Sequence, residues 1–242
     1  MRALALPRAT STSFVLIGDS TTANGTTVNS GGWGNGLCGS TITGNIASVV
    51  DGTPCINTAK NGATTGTFVQ DGYFATSLAA IRDEVGKGHR TLVTLQFGHN
   101  DQKIAPPESM AANLTSMVQQ IRAAGGEPVL ITSLTRRNFY TNGTVSDTLG
   151  PWAAATISVA QQQGTHYIDL HQASITYVEA IGPDAAWRLN RSPDDFTHLN
   201  VNGTTVFGRM VADLLTASYP GELPIVANTA LSYNISHGIA SY

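Results

Sequence analysis

Phe14-Val15-Leu16-Ile17-Gly18-Asp19-Ser20-Thr21-Thr22 decides how the rest of the chain is read. Its first four residues are apolar and β-preferring without a break, the pattern of a strand buried on both faces. Gly18 then permits a sharp turn that presents the hydroxyl of Ser20. In open α/β sheets ligands bind beyond the carboxyl ends of the strands, which is where this hydroxyl stands. A small polar residue after a buried strand is also ordinary turn chemistry, so the stretch alone leaves both readings open.

Working outward, the chain alternates. Trp33–Cys38 reads as a short helix or turn, and a second strand is expected around residues 46–50 or 55–58. Leu78, Ile81 and Val85 recur at helical spacing before Gly86-Lys87-Gly88 ends that helix. Thr91–Phe97 is the next strand, running into Gly98-His99-Asn100-Asp101. Pro106-Pro107 starts a helix whose buried stripe is Met110, Leu114, Met117 and Ile121. A strand over Pro128–Leu134, a helix over Trp152–Gln163, a strand over His166–Leu170 and a short helix over Ile175–Ala180 follow. Val206, Phe207, Met210, Val211 and Leu214 form a last amphipathic helix. The expectation is an α/β fold, a parallel sheet covered by helices on both faces, in a single domain over 1–242. Residues 1–13 read as a leader remnant or flexible N-terminus, and 220–242 as an irregular tail.

Composition narrows the function classes. The 242 residues are 41% hydrophobic, enough to bury a substantial core, and carry a net charge of -3. No basic cluster is present, which argues against a nucleic-acid partner, and the apolar runs are strand-length, which argues against a membrane span. The expected state is a monomer. Sequons occur at Asn24, Asn113, Asn142, Asn190, Asn202 and Asn234, a count that fits a glycosylated extracellular protein, although Asn24 is too near Ser20 to suit a glycan. In a secreted chain Cys38 and Cys55 would most naturally pair and stabilise the fold by about 3 kcal/mol; buried thiols or a catalytic cysteine are the alternatives. No Gly-x-Ser-x-Gly elbow, P-loop or dinucleotide fingerprint occurs.

Ser20, Gly62 and Asn100 each lie just beyond an expected strand, and in a parallel sheet their loops emerge on one edge. Asp195-Phe196-Thr197-His198 precedes the last helix and can fold over that edge. Acyl transfer needs a nucleophile, a base, a group that orients the base, and donors for an oxyanion. Ser20, His198 and Asp195 could fill the first three roles. The backbone N–H groups of Ser20 and Gly62 with the Asn100 amide could fill the fourth. Each residue also has a plainer reading as a cap, turn or surface group. Asp195 and His198 could instead ligate a metal with His99 and Asp101.

Gly18-Asp19-Ser20, the Gly62 loop, Gly98-His99-Asn100-Asp101 and Asp195-x-x-His198 stand in the order of the four blocks of the SGNH (GDSL) hydrolases, which this chain resembles. With Gly32-Trp33-Gly34 and the Asp-x-Thr-His spelling of the last block, it is most similar to the rhamnogalacturonan acetylesterase-like branch. That resemblance implies a flavodoxin-like three-layer α/β/α sandwich with a five-stranded parallel sheet. It implies a Ser20–His198–Asp195 triad, oxyanion donors at Ser20, Gly62 and Asn100, and neither cofactor nor metal. The expected activity is that of a secreted esterase acting on an acetylated, pectic cell-wall polysaccharide. Arg136 and Arg137 on a loop at the active edge could hold an acidic sugar, with His99 and a sugar-stacking Trp33 as further candidates. A short-chain carboxylesterase or lipase, or a carbohydrate-binding protein with an idle site, are the competing readings.

Overall fold

The computed structural model describes residues 11–242. Five strands, β1 (Thr12–Gly18), β2 (Cys55–Asn57), β3 (Arg90–Gln96), β4 (Glu127–Ile131) and β5 (His166–Ile168), form one sheet in the order β2-β1-β3-β4-β5. All neighbours are parallel. β1 pairs with β3 from Thr12↔Arg90 to Gly18↔Gln96 and carries β2 on its other side. The chain thus leaves β1 in one direction and returns on the other, which opens a crevice above the carboxyl ends of β1 and β3.

Alternation along the strands divides the core. Phe14, Leu16, Leu92, Val129 and Ile131 face one side, against Trp33 of α1 (Trp33–Cys38), Tyr177 of α6 (Leu170–Ile181) and Phe207 of α8 (Val201–Ser218). Val15, Ile17, Val93 and Leu95 face the other, against α2 (Thr65–Gln70), α3 (Tyr73–Gly86), α4 (Pro107–Ala123) and α5 (Gly150–Gln163). Every residue of β1 is buried, as an apolar run covered on both faces requires. α1 and α8 pack backbone to backbone. A Cβ on Gly208 would sit 2.5 Å from the Gly36 Cα, so both positions exclude larger residues. The flavodoxin-like α/β architecture expected from the sequence is present.

Several boundaries differ from the expectation. The second strand forms at Cys55–Asn57, while Val49 makes only an isolated bridge to Ile225. β4 ends at Ile131 rather than Leu134 because β5 stops pairing at Ile168. There Asp169 caps α6, accepting from Gln172 N–H at 3.1 Å and from the Thr132 hydroxyl at 2.8 Å. Helix α2 was not expected; a capping box between Thr64 and Thr67 starts it. A short α7 (Pro183–Trp187) follows α6. The tail contains α9 (Thr229–Ser236), whose Leu231 and Ile235 touch the core one helical turn apart. Thr12 and Ser13 belong to β1, so the strand starts inside the expected leader; residues 1–10 lie outside the described residues. Cys38 and Cys55 are joined, tying the end of α1 to the start of β2. No helix among the described residues is long and apolar enough to cross a membrane.

Candidate active site

The turn after β1 is built around two constraints. A Cβ on Gly18 would lie 2.7 Å from the Gln96 carbonyl oxygen, so β1 can end against β3 only with glycine. Asp19 is buried, and its Oδ1 accepts from the Thr21 N–H at 2.9 Å and the Thr21 hydroxyl at 2.8 Å. Burial alone would raise the Asp19 pKa, but His99 and the Thr21 donors hold it below the ordinary carboxylate value. The Thr22 hydroxyl donates to Gln96 Oε1, and the Thr21 hydroxyl oxygen lies 2.9 Å from the same atom. Ser20, between these anchored residues, keeps its side chain partly exposed.

The segment between α7 and α8 meets this turn. His198 Nε2 lies 3.0 Å from Ser20 Oγ, and His198 Nδ1 faces both oxygens of Asp195 at 2.9 and 3.0 Å. Asp195 Oδ1 also accepts from the N–H groups of His198 at 2.9 Å and Thr197 at 3.2 Å, the tight turn that lets the pair meet three residues apart. A carboxylate only accepts, so Nδ1 carries the proton and Nε2 offers its lone pair to the serine hydroxyl. Burial pushes the Asp195 pKa up, and the His198 contacts with the Thr197 N–H more than reverse this, leaving it lowered. Burial outweighs the attraction of Asp195 at His198, whose pKa is lowered.

Gly62 and Asn100 come together across the crevice. Gly62 adopts φ +78°, and its missing side chain leaves open space rather than a packing gap. Asn100 Nδ2–H donates to the Ala63 carbonyl at 3.0 Å, beside Gly62. The Lys103 ammonium donates to Asn100 Oδ1 at 3.0 Å, which fixes the amide orientation, and the second Nδ2 hydrogen has no acceptor among the described residues. The N–H groups of Ser20 and Gly62 donate to no acceptor among the described residues.

Three expected substrate contacts are corrected. Trp33 is fully buried, its Nε1–H donating to Gln96 Oε1 at 2.8 Å, so it cannot stack on a sugar. His99 lies beneath the turn, its Nδ1 3.5 Å from Asp19 Oδ2. Arg137 is buried too: Nη2 donates to the His198 carbonyl at 2.8 Å and Nε donates to Asn190 Oδ1. Burial lowers its pKa to about 9, and it serves to hold the His198 segment. Arg136 reaches the rim, but its donors serve Thr197 at 3.1 Å and Thr148 at 2.9 Å. The metal alternative fails on geometry, since Asp101 is buried against Thr65 and no cluster of His, Cys, Asp or Glu among the described residues could hold an ion.

Sequence reasoning passed over Arg191. Its Nη2 lies 2.7 Å from Asp195 Oδ2, and with Ser20, His198, Asn24 and Asn61 it lines a pocket of about 50 Å³. Its i, i+4 spacing to Asp195 was the available signal.

The chain belongs to the GDSL-like Lipase/Acylhydrolase family, whose model matches residues 16–206. It is a serine hydrolase of carboxylic esters. Over 172 residues, 65% of this chain and 72% of the relative, it is 34% identical to rhamnogalacturonan acetylesterase RhgT of Bacillus subtilis. It is 27% identical to a rhamnogalacturonan acetylesterase of Emericella nidulans, with 83% of each chain covered. Among solved structures, protein YxiM of Bacillus subtilis superposes with a TM-score of 0.73 at 23% identity, covering 88% of this chain. The chain spans 58% of the length of that protein. An acetylxylan esterase of Geobacillus stearothermophilus superposes with a TM-score of 0.59 at 16% identity, covering 85% of this chain and 94% of that one.

Proposed function

We propose that the chain is a secreted serine acetylesterase that removes acetyl groups from a pectic, rhamnogalacturonan-type polysaccharide. The observation that carries this reading is the unbroken hydrogen-bonded line from Ser20 through His198 to Asp195, ending beside unengaged donors. His198 Nε2 takes the Ser20 proton as Oγ attacks the ester carbonyl, and Asp195 stabilises the imidazolium. The N–H groups of Ser20 and Gly62 and the Asn100 amide receive the oxyanion. His198 then protonates the departing sugar alkoxide, and water repeats the cycle on the acetyl-Ser20 ester.

The pocket supports a short acyl group. Drug-sized ligands occupy roughly 300–1,000 Å³. A cavity of about 50 Å³ at Ser20 suits an acetyl, with the rest of a large substrate outside. The pectic substrate is inferred from the names of the two rhamnogalacturonan acetylesterase relatives. Secretion is supported by the Cys38–Cys55 disulfide, which persists in oxidising compartments, and by the exposed sequon at Asn142. Asn190 is buried against Arg137 and is no glycan site in the folded chain.

The test is acetate release from acetylated rhamnogalacturonan, acetylated xylan and a series of longer acyl esters, by the parent chain and by Ser20→Ala. The expected result is release from the pectic substrate and loss of release in the variant. Preference for xylan, or for longer acyl chains, would replace the substrate part of the reading. Activity retained in Ser20→Ala would remove the mechanism.

A further inference from the structure

We propose that Arg191 is the specificity-determining residue for acidic sugars, receiving a substrate carboxylate at the mouth of the Ser20 pocket. The inference rests on the carbohydrate-esterase reading above and adds to it the group that reads the sugar.

Arg191 is held from two directions. Its backbone N–H donates to the His198 carbonyl at 3.0 Å, and its Nη2 pairs with Asp195 Oδ2 at 2.7 Å. The side chain nevertheless remains 46% exposed and lines the pocket with Ser20 and His198. Only one guanidinium nitrogen is engaged by Asp195; Nε and Nη1 have no acceptor among the described residues. A guanidinium presents several donors in a planar fork, the arrangement that matches a carboxylate.

Among the described residues, the neighbouring cations are otherwise committed. Arg137 is buried, Arg136 donates to Thr197 and Thr148, and Lys103 donates to Asn100. Lys60 lies 5.1 Å from the Tyr73 ring centroid, outside the pocket. Among the described residues the rest of the pocket wall is neutral, from Asn24, Thr26, Ser30 and Asn61. One cation in a neutral wall beside the reacting serine discriminates by charge.

A purely positioning role explains Arg191 poorly. Asp195 already accepts from two backbone N–H groups and from His198. The positive charge of Arg191 also opposes imidazolium formation at His198, the state the reaction passes through. A substrate carboxylate on the guanidinium offsets that opposition, so an acidic sugar would gain in turnover as well as in binding.

The experiment compares acetylated galacturonate oligomers with free carboxylates against the same oligomers methyl-esterified, which changes charge and little else. The parent chain, Arg191→Gln and Arg191→Lys are assayed at low and high salt. The expected parent prefers the free acid, and added salt erodes the preference. In Arg191→Gln the acid-over-ester ratio of kcat/KM falls by about tenfold or more, the size of one charged hydrogen bond, and Arg191→Lys restores part of it. Equal losses on both oligomers would assign Arg191 to holding Asp195 alone and overturn the proposal, as would a parent with no preference. Should neither oligomer be cleaved, the pectic reading fails by itself. The same ratio is then read on 4-acetoxybenzoate against its methyl ester, where an unchanged ratio in Arg191→Gln would overturn the role of Arg191.

Discussion

Trp33 and Gln96 meet directly beneath the Ser20 turn, the buried indole N–H donating to the Gln96 side-chain oxygen at 2.8 Å. That oxygen also accepts from the Thr22 hydroxyl at 2.7 Å and lies 2.9 Å from the Thr21 hydroxyl oxygen. The last residue of β3 therefore fixes the two residues after Ser20 and the first residue of α1. Replacing Gln96 by Leu leaves the Trp33 N–H and the Thr22 hydroxyl without a partner in a buried site. At about 1–3 kcal/mol for each unsatisfied group, the expected loss is on the order of 3 kcal/mol. A lower kcat should accompany it as the turn relaxes. Urea unfolding should show a lower midpoint at unchanged slope. A variant as stable as the parent would mean that this oxygen is not what anchors the turn.

Ser20 and His198 should act as one unit. Each single alanine replacement is expected to lower kcat by roughly ten-thousand-fold or more, with little change in stability because both side chains are partly exposed. The double replacement should be no worse than Ser20→Ala alone, since His198 has no proton to accept once the hydroxyl is gone. Multiplicative losses in the double variant, measured on p-nitrophenyl acetate, would separate the two residues.

Most of the scaffold behind this site was legible because apolar spacing reports burial. Phe14–Ile17 is buried on both faces, and Met110, Leu114, Met117 and Ile121 all enter the core as their helical spacing requires. Strand ends were less legible, because they depend on a partner. Thr132–Leu134 is buried, yet its pairing with β5 ends at the Thr132 N–H, which donates to the Ile168 carbonyl at 3.2 Å, since Asp169 turns β5 into α6. The residues Ser20, Asp195 and His198 could be picked out, but loop residues show type and not direction. Trp33 and Arg137 look like ligand contacts in one dimension and are core groups in three. The spacing of Arg191 to Asp195 hints at an ion pair, but its place beside Ser20 depends on the turn that folds the segment back.

The pH dependence follows from His198. Burial lowers its pKa, Asp195 raises it, and Arg191 and His99 lower it again, leaving it below the ordinary 6.5. The base works only when neutral, so kcat/KM should rise with pH through this pKa, with half-maximal activity below pH 6.5. Asp195, whose pKa is held below the ordinary carboxylate value, stays ionised as that limb is crossed. Removing the positive charge in Arg191→Gln makes protonation of His198 easier, so its acid limb should move to higher pH. The profile of kcat/KM on a neutral ester checks both. An acid limb centred above 6.5 in the parent, or a downward move in the variant, would contradict the assignment.

Lys103 should act on catalysis only through Asn100. Asn100→Ala removes one oxyanion donor, for which about a hundred- to thousand-fold loss in kcat is expected, with KM little changed. The exposed Lys103 ammonium donates to Asn100 Oδ1 at 3.0 Å, so it polarises the amide and prevents the flip that would turn oxygen toward the oxyanion. Lys103→Met should therefore lower kcat by a smaller factor, since the field of an exposed ammonium is heavily screened by solvent and salt. Lys103→Arg, which keeps a donor there, should recover part of the loss. In the Asn100→Ala background the Lys103→Met change should have no further effect on kcat, because the group it orients is absent. A second loss in that background would show Lys103 reaching the reaction by another route.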